Sequence, residues 1–181
     1  MALVTLAAAP PAEQLASPLD YIFAEHFRQR TLCWMIDRIA DDRERDAECI
    51  AAVMRFLSED FGPHVIDEEE DLFPLLRRRA EPEDRINVVL GDLSQEHAAD
   101  KLDADAIAEG LSQVVAGKHF TKALRGLLHR FAANERRHLI VENAIVLPLA
   151  RIRLTVDDLR NLGRRMAARR GIDYRGLPHA V

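Results

Sequence analysis

The chain has 181 residues and a formal charge of −5, and 48% of its residues are hydrophobic while 30% are charged. This length predicts one domain with a sizeable core, and the acidic balance gives no general attraction to nucleic acid. No apolar run is long enough to span a membrane. We therefore expect neither a nucleic acid nor a membrane as a partner.

Apolar residues recur at helical spacing along most of the chain, and no segment is typical of a strand. Residues 1–17 lack the basic start of a signal peptide and are expected to be a flexible leader. The apolar stripe of the first helix includes Ile22 and Phe23, and Gly62-Pro63 should kink the second helix. The helices are predicted at about residues 18–41, 44–79, 83–115, 119–149 and 155–170.

Long helices joined by short turns favour an all-α fold, an antiparallel up-down four-helix bundle. The bundle is predicted over residues 18–150, and a short C-terminal fifth helix with a tail over residues 151–181. The basic C-terminal helix is expected to present a mainly solvated face, through which it could contact a protein partner. Cys33 and Cys49 are expected to be buried thiols, which fits a cytoplasmic location.

An internal repeat carries the candidate metal ligands. In each copy a Glu-His pair precedes an HxxxE motif one helix later. Because residues i and i+4 lie on one face of a helix, the Glu of each motif points the same way as its His. The inward faces of an antiparallel bundle can then meet at one level. The six side chains brought together would be His26, His64, Glu68, His97, His138 and Glu142.

These residue types predict a metal centre. Imidazole and carboxylate without thiolate suit Fe, Mn or Zn, and a buried Glu without a partner costs several kcal/mol. Two Glu facing each other could bridge two metals, and four His with two bridging carboxylates would leave coordination positions open. Pro74 and Pro148 follow the two Glu at the same offset and should break or kink the helices.

Over about residues 18–150 the chain resembles the hemerythrin-like (HHE cation-binding) family. The resemblance implies two non-haem irons, bridged by carboxylates and by an oxo or hydroxo group. It also implies a protein that binds or senses O2, NO or peroxide. The motifs that carry it are His26, HxxxE at His64 and Glu68 with Leu-Phe-Pro at 72–74, His97, and HxxxE at His138 and Glu142 with Leu-Pro at 147–148.

The sequence departs from the family pattern at one position. Many members carry a second His four residues after the third-helix His, where this chain has Lys101. One iron is therefore expected to lack a ligand, which argues against stable O2 carriage and leaves room for small-molecule reaction. Glu69, Glu96, Glu135 or His129 could substitute, and spacing does not single one out.

Two functions stay open at this point. The protein could bind or sense a small diatomic ligand or peroxide, or it could be an enzyme that decomposes peroxide or reduces a small oxidant. Lys101 would be a candidate proton donor for such an enzyme. A ferritin-like oxidase is disfavoured because only Glu135 and His138 have the Glu-x-x-His spacing. A histidine phosphotransfer bundle would not need a repeated HxxxE.

Overall fold

The computed structural model describes residues 6–42 and 46–174, and it contains no strand within those ranges. Two π-helical turns, Asp67–Leu72 and Glu142–Val146, and two short 3-10 turns, Ala12–Ala16 and Pro82–Asp84, join or precede the α-helices. The α-helices of the described ranges are α1 (Pro18–Asp41), α2 (Ala47–Glu59), α3 (Phe61–Ile66), α4 (Phe73–Arg79), α5 (Ile86–Val115), α6 (Lys122–Val141), α7 (Leu147–Arg153) and α8 (Val156–Arg169).

In the described ranges, four rods form the bundle. They are α1, then α2 to α4 with their π turn, then α5, and then α6 and α7 with theirs. The first rod packs against the second and the fourth, and α5 packs against the same two. Each rod therefore packs mainly against two others, with a smaller contact between α4 and α7, and the shorter fifth helix α8 packs against α1 and the first π turn. This confirms the predicted all-α four-helix bundle.

Local sequence signals explain where several helices begin and end. The Thr155 hydroxyl accepts a hydrogen bond from the Asp158 amide at the start of α8, and the Asp158 carboxylate accepts one from the Thr155 amide. Gly171 ends α8 with a φ of 68°, a conformation that favours glycine. The second rod is interrupted at Asp60, three residues before Pro63, which lacks an amide donor.

Within residues 6–42 and 46–174, the core consists of two apolar clusters with a polar layer between them. Representative buried residues of the first cluster are Ile22, Phe73, Leu90 and Leu147. Representative buried residues of the second cluster are Ile36, Phe56, Ile107 and Phe131. The candidate ligands of all four rods fall in the layer between these clusters, so water is excluded from both of its sides.

The end of the predicted leader is ordered. Ala12–Ala16 form a 3-10 turn that packs against α8 and buries Leu15 completely. A Cβ atom at Gly163 would lie only 2.3 Å from the Leu15 carbonyl oxygen, so this close approach needs glycine. Sequence periodicity could not reveal a single anchoring leucine. The remaining parts of the predicted leader and tail, residues 1–5 and 175–181, lie outside the described residues.

The basic helix α8 differs from the expected solvated face. Arg169 and Arg170 are mostly buried and face acidic residues of the bundle, while Leu162 and Met166 pack into the apolar core. A mainly solvated face was therefore the wrong prediction for these two arginines. Within the described ranges no helix combines the length and the apolar character that a membrane span requires.

Candidate metal centre

The structure brings all six sequence-predicted ligands together. His26 lies on α1, His64 on α3, His97 on α5 and His138 on α6, so each rod contributes one imidazole. Glu68 and Glu142 lie at the starts of the two π-helical turns. All six side chains are buried.

The two glutamates occupy the middle of the cluster, and the imidazole Nε2 atoms surround them. Glu68 and Glu142 each belong to two overlapping groups of possible ligand atoms, all within 4.8 Å of one another. One group adds His26 and His64, and the other adds His97 and His138. The Nε2–Oε distances are 3.3 Å for His26–Glu68, 3.4 Å for His26–Glu142, 3.4 Å for His64–Glu68, 3.4 Å for His97–Glu68 and 3.1 Å for His138–Glu142.

The π-helical turns explain how a proline can follow each glutamate. The amide of Phe73 donates to the Glu68 carbonyl, and the amide of Leu147 donates to the Glu142 carbonyl, both five residues back. Pro74 and Pro148 come immediately afterwards, and neither has an amide hydrogen to donate. The wider turn relieves the clash that proline makes in an α-helix. The predicted break is therefore a π turn, beyond which the rod continues as a helix.

A second set of residues holds the outer nitrogen of each imidazole. The Nδ1 atoms of three histidines donate to carboxylates, at 3.0 Å for His64–Glu25, 2.6 Å for His97–Glu69 and 2.8 Å for His138–Glu96. His26 Nδ1 donates to the Asn143 side-chain oxygen at 2.9 Å. These bonds fix each ring with Nε2 facing inward, which is the arrangement of metal-binding histidines.

The buried carboxylates of the cluster favour positive charge beside them. Burial opposes protonation of His64, but Glu68 and Glu25 raise its pKa to about 10. Burial likewise opposes protonation of His97, whose pKa Glu68 and Glu69 raise to about 11. Despite its burial, Glu68 has a pKa well below the usual range, because His64 and the other imidazoles surround it. The carboxylates thus raise the proton affinity of the imidazoles, which bind protons when no other cation is available.

Orphaned atoms show that a cation fits this place. Within the described part of the chain, both carboxylate oxygens of Glu142, one of Glu68 and Nε2 of His138 are buried without a hydrogen-bond partner. Such atoms are costly unless they bind something. Neutral imidazole and carboxylate are the donors that divalent iron, manganese and zinc accept. The donor set therefore fits a pair of cations that share the two glutamates.

The position that departs from the family pattern lies outside the cluster. Lys101 is 74% exposed and lies 3.9 Å from Asp105, so it is not placed to donate a proton at the centre. Among the substitutes proposed for the missing histidine, Glu69 and Glu96 accept hydrogen bonds from the outer Nδ1 atoms of His97 and His138. His129 donates through Nδ1 to Asp37, away from the centre.

One further buried polar layer lies a helical turn from the histidines. Gln29 and Asp100 follow His26 and His97 by three residues on rods of one direction, and Glu135 precedes His138 by three on a rod of the other. All three are buried. In the described ranges the Gln29 amide atoms and Asp100 Oδ2 have no hydrogen-bond partner.

Burial raises the pKa values of both acids in this layer, to about 7 for Glu135 and about 6 for Asp100. Glu135 was one of several candidates from the sequence, whereas Gln29 and Asp100 were not predicted. Their spacing of three residues from a ligand on the same helix face was the signal that could have identified them.

The fold and the site define a helical bundle with a buried His/Glu cluster that can bind metal. Comparison with known proteins agrees with this class. The family model of the hemerythrin HHE cation binding domain matches residues 17–166. The chain therefore belongs to the hemerythrin HHE family, which confirms the resemblance, and metal binding follows from family and site together. None of the curated proteins compared with the chain matches it.

Proposed function

We propose that the protein is a non-haem di-iron protein that binds or senses O2, NO or peroxide. The observation that carries this proposal is the pair of overlapping ligand groups that share Glu68 and Glu142. Each metal would receive two imidazoles and bridging carboxylate oxygens. An octahedral ion held this way keeps positions for a small ligand, and bound iron would supply the redox chemistry.

The choice of iron rests on the family, because the ligand types also suit manganese and zinc. The polar layer of Gln29, Asp100 and Glu135 supports the small-molecule part of the proposal. Its unpaired atoms can offer hydrogen bonds to water or to a small ligand beside the centre. We further place the protein in the cytoplasm, since Cys33 and Cys49 are free, buried thiols.

An enzyme that decomposes peroxide or reduces a small oxidant is the second candidate. The raised pKa values of Glu135 and Asp100, about 7 and about 6, favour it, since an acid whose pKa lies near neutral pH can both take up and release a proton there. Reduction of an oxidant consumes protons, and these carboxyls could deliver them from the layer beside the metals. Their role replaces the one considered for Lys101.

The first test is metal content and the optical spectrum of protein purified in air, compared between wild type and Glu68→Ala. Glu70→Ala is the matched control, because Glu70 lies in the same π turn with a 63% exposed side chain. We expect two irons per chain and near-ultraviolet absorption of an oxo bridge in wild type and control. Glu68→Ala should lose both irons, because Glu68 belongs to both ligand groups.

A zinc-only protein, or a Glu68→Ala variant that keeps both irons, would contradict the di-iron proposal. Addition of peroxide to the loaded protein then separates the two functions. Sustained O2 release, or sustained peroxide loss with a reductant, would indicate the enzyme. A stoichiometric spectral change with O2, NO or peroxide that does not turn over would indicate binding or sensing.

A further inference from the structure

The outer helix α8 meets the metal centre through a buried cluster of charges. Asp67 and Asp71 lie in the π turn that carries Glu68, and both are buried. Arg170 pairs with Asp67 at 2.7 Å, and Arg169 donates to Asp71 at 3.0 Å and also contacts Asp67. Burial raises the pKa of Asp67 to about 6 even though both arginines lower it. Without α8, buried carboxylates would thus lose their counterions.

Arg170 is also linked to a candidate ligand through one intermediate residue. Its Nη2 atom donates to Glu25 Oε1 at 3.3 Å, and Oε2 of the same carboxylate accepts the His64 Nδ1 hydrogen at 3.0 Å. Burial opposes ionisation of Glu25, but His64 and Arg170 hold its pKa below the usual range. A charged chain therefore runs from α8 through Glu25 to the imidazole that faces the metal position.

In the described residues no arginine pairs with the outer carboxylates of the other half, where Glu69 instead accepts a second hydrogen bond from Ser94 at 2.8 Å. His97 and His138 donate to Glu69 and Glu96, whose side chains are 29% and 48% exposed. Water can replace or screen those bonds, whereas the Glu25–Arg170 pair is mostly enclosed. His64 is therefore held by a more enclosed charge pair than His97 or His138.

We propose that Arg170 is a positioning residue for the metal centre, and that docking of α8 and metal binding at His26 and His64 strengthen each other. A cation on Nε2 of His64 would hold the ring with Nδ1 facing Glu25, and would thereby keep the Glu25 carboxylate where Arg170 binds it. The coupling is reciprocal. Loss of α8 docking should lower the affinity for metal by the same factor by which bound metal strengthens α8 docking.

This inference rests on metal binding by the centre and not on which small molecule it meets. The test uses the full chain, prepared without metal and then titrated with Fe(II) without oxygen. Chelator competition measures the two binding steps, and hydrogen exchange of the α8 amides is followed with and without Fe(II). The variants are Arg170→Ala, Arg170→Lys and Arg169→Ala. The matched control is Arg160→Ala, an exposed position of α8 whose arginine pairs with Asp157.

In wild type and in Arg160→Ala, Fe(II) should slow α8 exchange. Arg170→Ala should weaken one binding step about tenfold, the lower end of the range for outer partners of metal ligands, and should remove the effect of Fe(II) on α8. Arg170→Lys keeps the charge but lacks the planar guanidinium that can bind two acceptors. Its affinity for Fe(II) should therefore lie between those of wild type and Arg170→Ala. If Arg170→Ala does not fold, the reduced affinity of Arg170→Lys still tests the proposal.

Two results would overturn the proposal while leaving the metal centre intact. One is wild-type α8 exchange that does not respond to Fe(II), and the other is wild-type affinity for both metals in Arg170→Ala. Equal weakening of both steps in Arg170→Ala and Arg169→Ala would also overturn it, because that pattern indicates a general loss of stability. A wild-type chain that takes up no Fe(II) would instead overturn the proposed function itself.

Discussion

Each histidine of the centre has its two ring nitrogens on different partners. The Nδ1 hydrogen goes to Glu25, Glu69, Glu96 or Asn143, so the Nε2 lone pair is left for a metal. Since carboxylates and amide oxygens only accept hydrogen bonds, the tautomer is set by the partner. The centre is thus organised for metal binding by residues that would not themselves touch the metal.

A pH-dependent effect on stability is expected from Glu135. Its folded pKa is about 7, above the ordinary value of 4.5, because the side chain is buried. Between these two values the unfolded chain binds fewer protons than the folded chain, so stability decreases as pH rises. Glu135→Gln removes the titration. At pH 8 the metal-free variant should be more stable than wild type by about 3 kcal/mol, and near pH 4 the two should agree.

Urea unfolding of the metal-free proteins across this pH range measures the difference. Glu83→Gln, an exposed acid in the turn before α5, is the control and should match wild type at every pH. A constant difference between Glu135→Gln and wild type from pH 4 to pH 8 would show that Glu135 does not titrate in this range.

The two π-helical turns determine where Glu68 and Glu142 lie along the bundle axis. In each turn a five-residue hydrogen bond ends just before a proline, which cannot donate the bond that would restore an α-helix. The extra residue rotates the next helix about its axis, so that Phe73 can stack on the His97 ring at 5.8 Å between centroids. The proline therefore helps to keep the ligand turn in its π form.

Replacing Pro74 by alanine should relax this turn. The alanine of the Pro74→Ala variant has an amide that can donate to the carbonyl four residues back, which favours an ordinary α-helix and shifts Glu68 relative to Phe73. We expect Fe(II) affinity to fall about tenfold, as for other changes around metal ligands, while helix content by circular dichroism is kept. Pro82→Ala, in the 3-10 turn, is the control. Wild-type affinity in Pro74→Ala would show that the turn is set by other contacts.

At the scale of the whole molecule, periodicity and repeated motifs predicted the helices, the bundle and the six clustered side chains. They could not predict features that depend on neighbours distant in sequence. Phe23, expected on the core face of α1, is 56% exposed because the bundle covers only part of that helix. The inward arginines of α8 and the partnered Glu25 depend on how α8 docks, which no local pattern encodes. Leu15 is anchored for the same reason.

Metal binding should stabilise the entire fold, because the cluster joins all four rods between the two apolar clusters of the core. Each rod supplies one histidine, and the second and fourth also supply Glu68 and Glu142. When unfolded, the chain no longer brings these atoms together, so metal binds mainly the folded state. Free metal at 100 times the dissociation constant would then add about 2.7 kcal/mol per bound ion to the free energy of unfolding.

For a chain of this length, the stabilisation by each bound ion corresponds to a rise in Tm of about 5 to 10 °C. Thermal unfolding with buffered Fe(II), monitored by circular dichroism without oxygen, measures the shift. Glu68→Ala should have the same Tm with and without Fe(II), because it lacks the carboxylate that both ligand groups share. A rise of similar size in Glu68→Ala would mean that Fe(II) stabilises the chain from another place. An unchanged Tm of wild type with Fe(II) would mean that metal at the cluster does not stabilise the packing of the four rods.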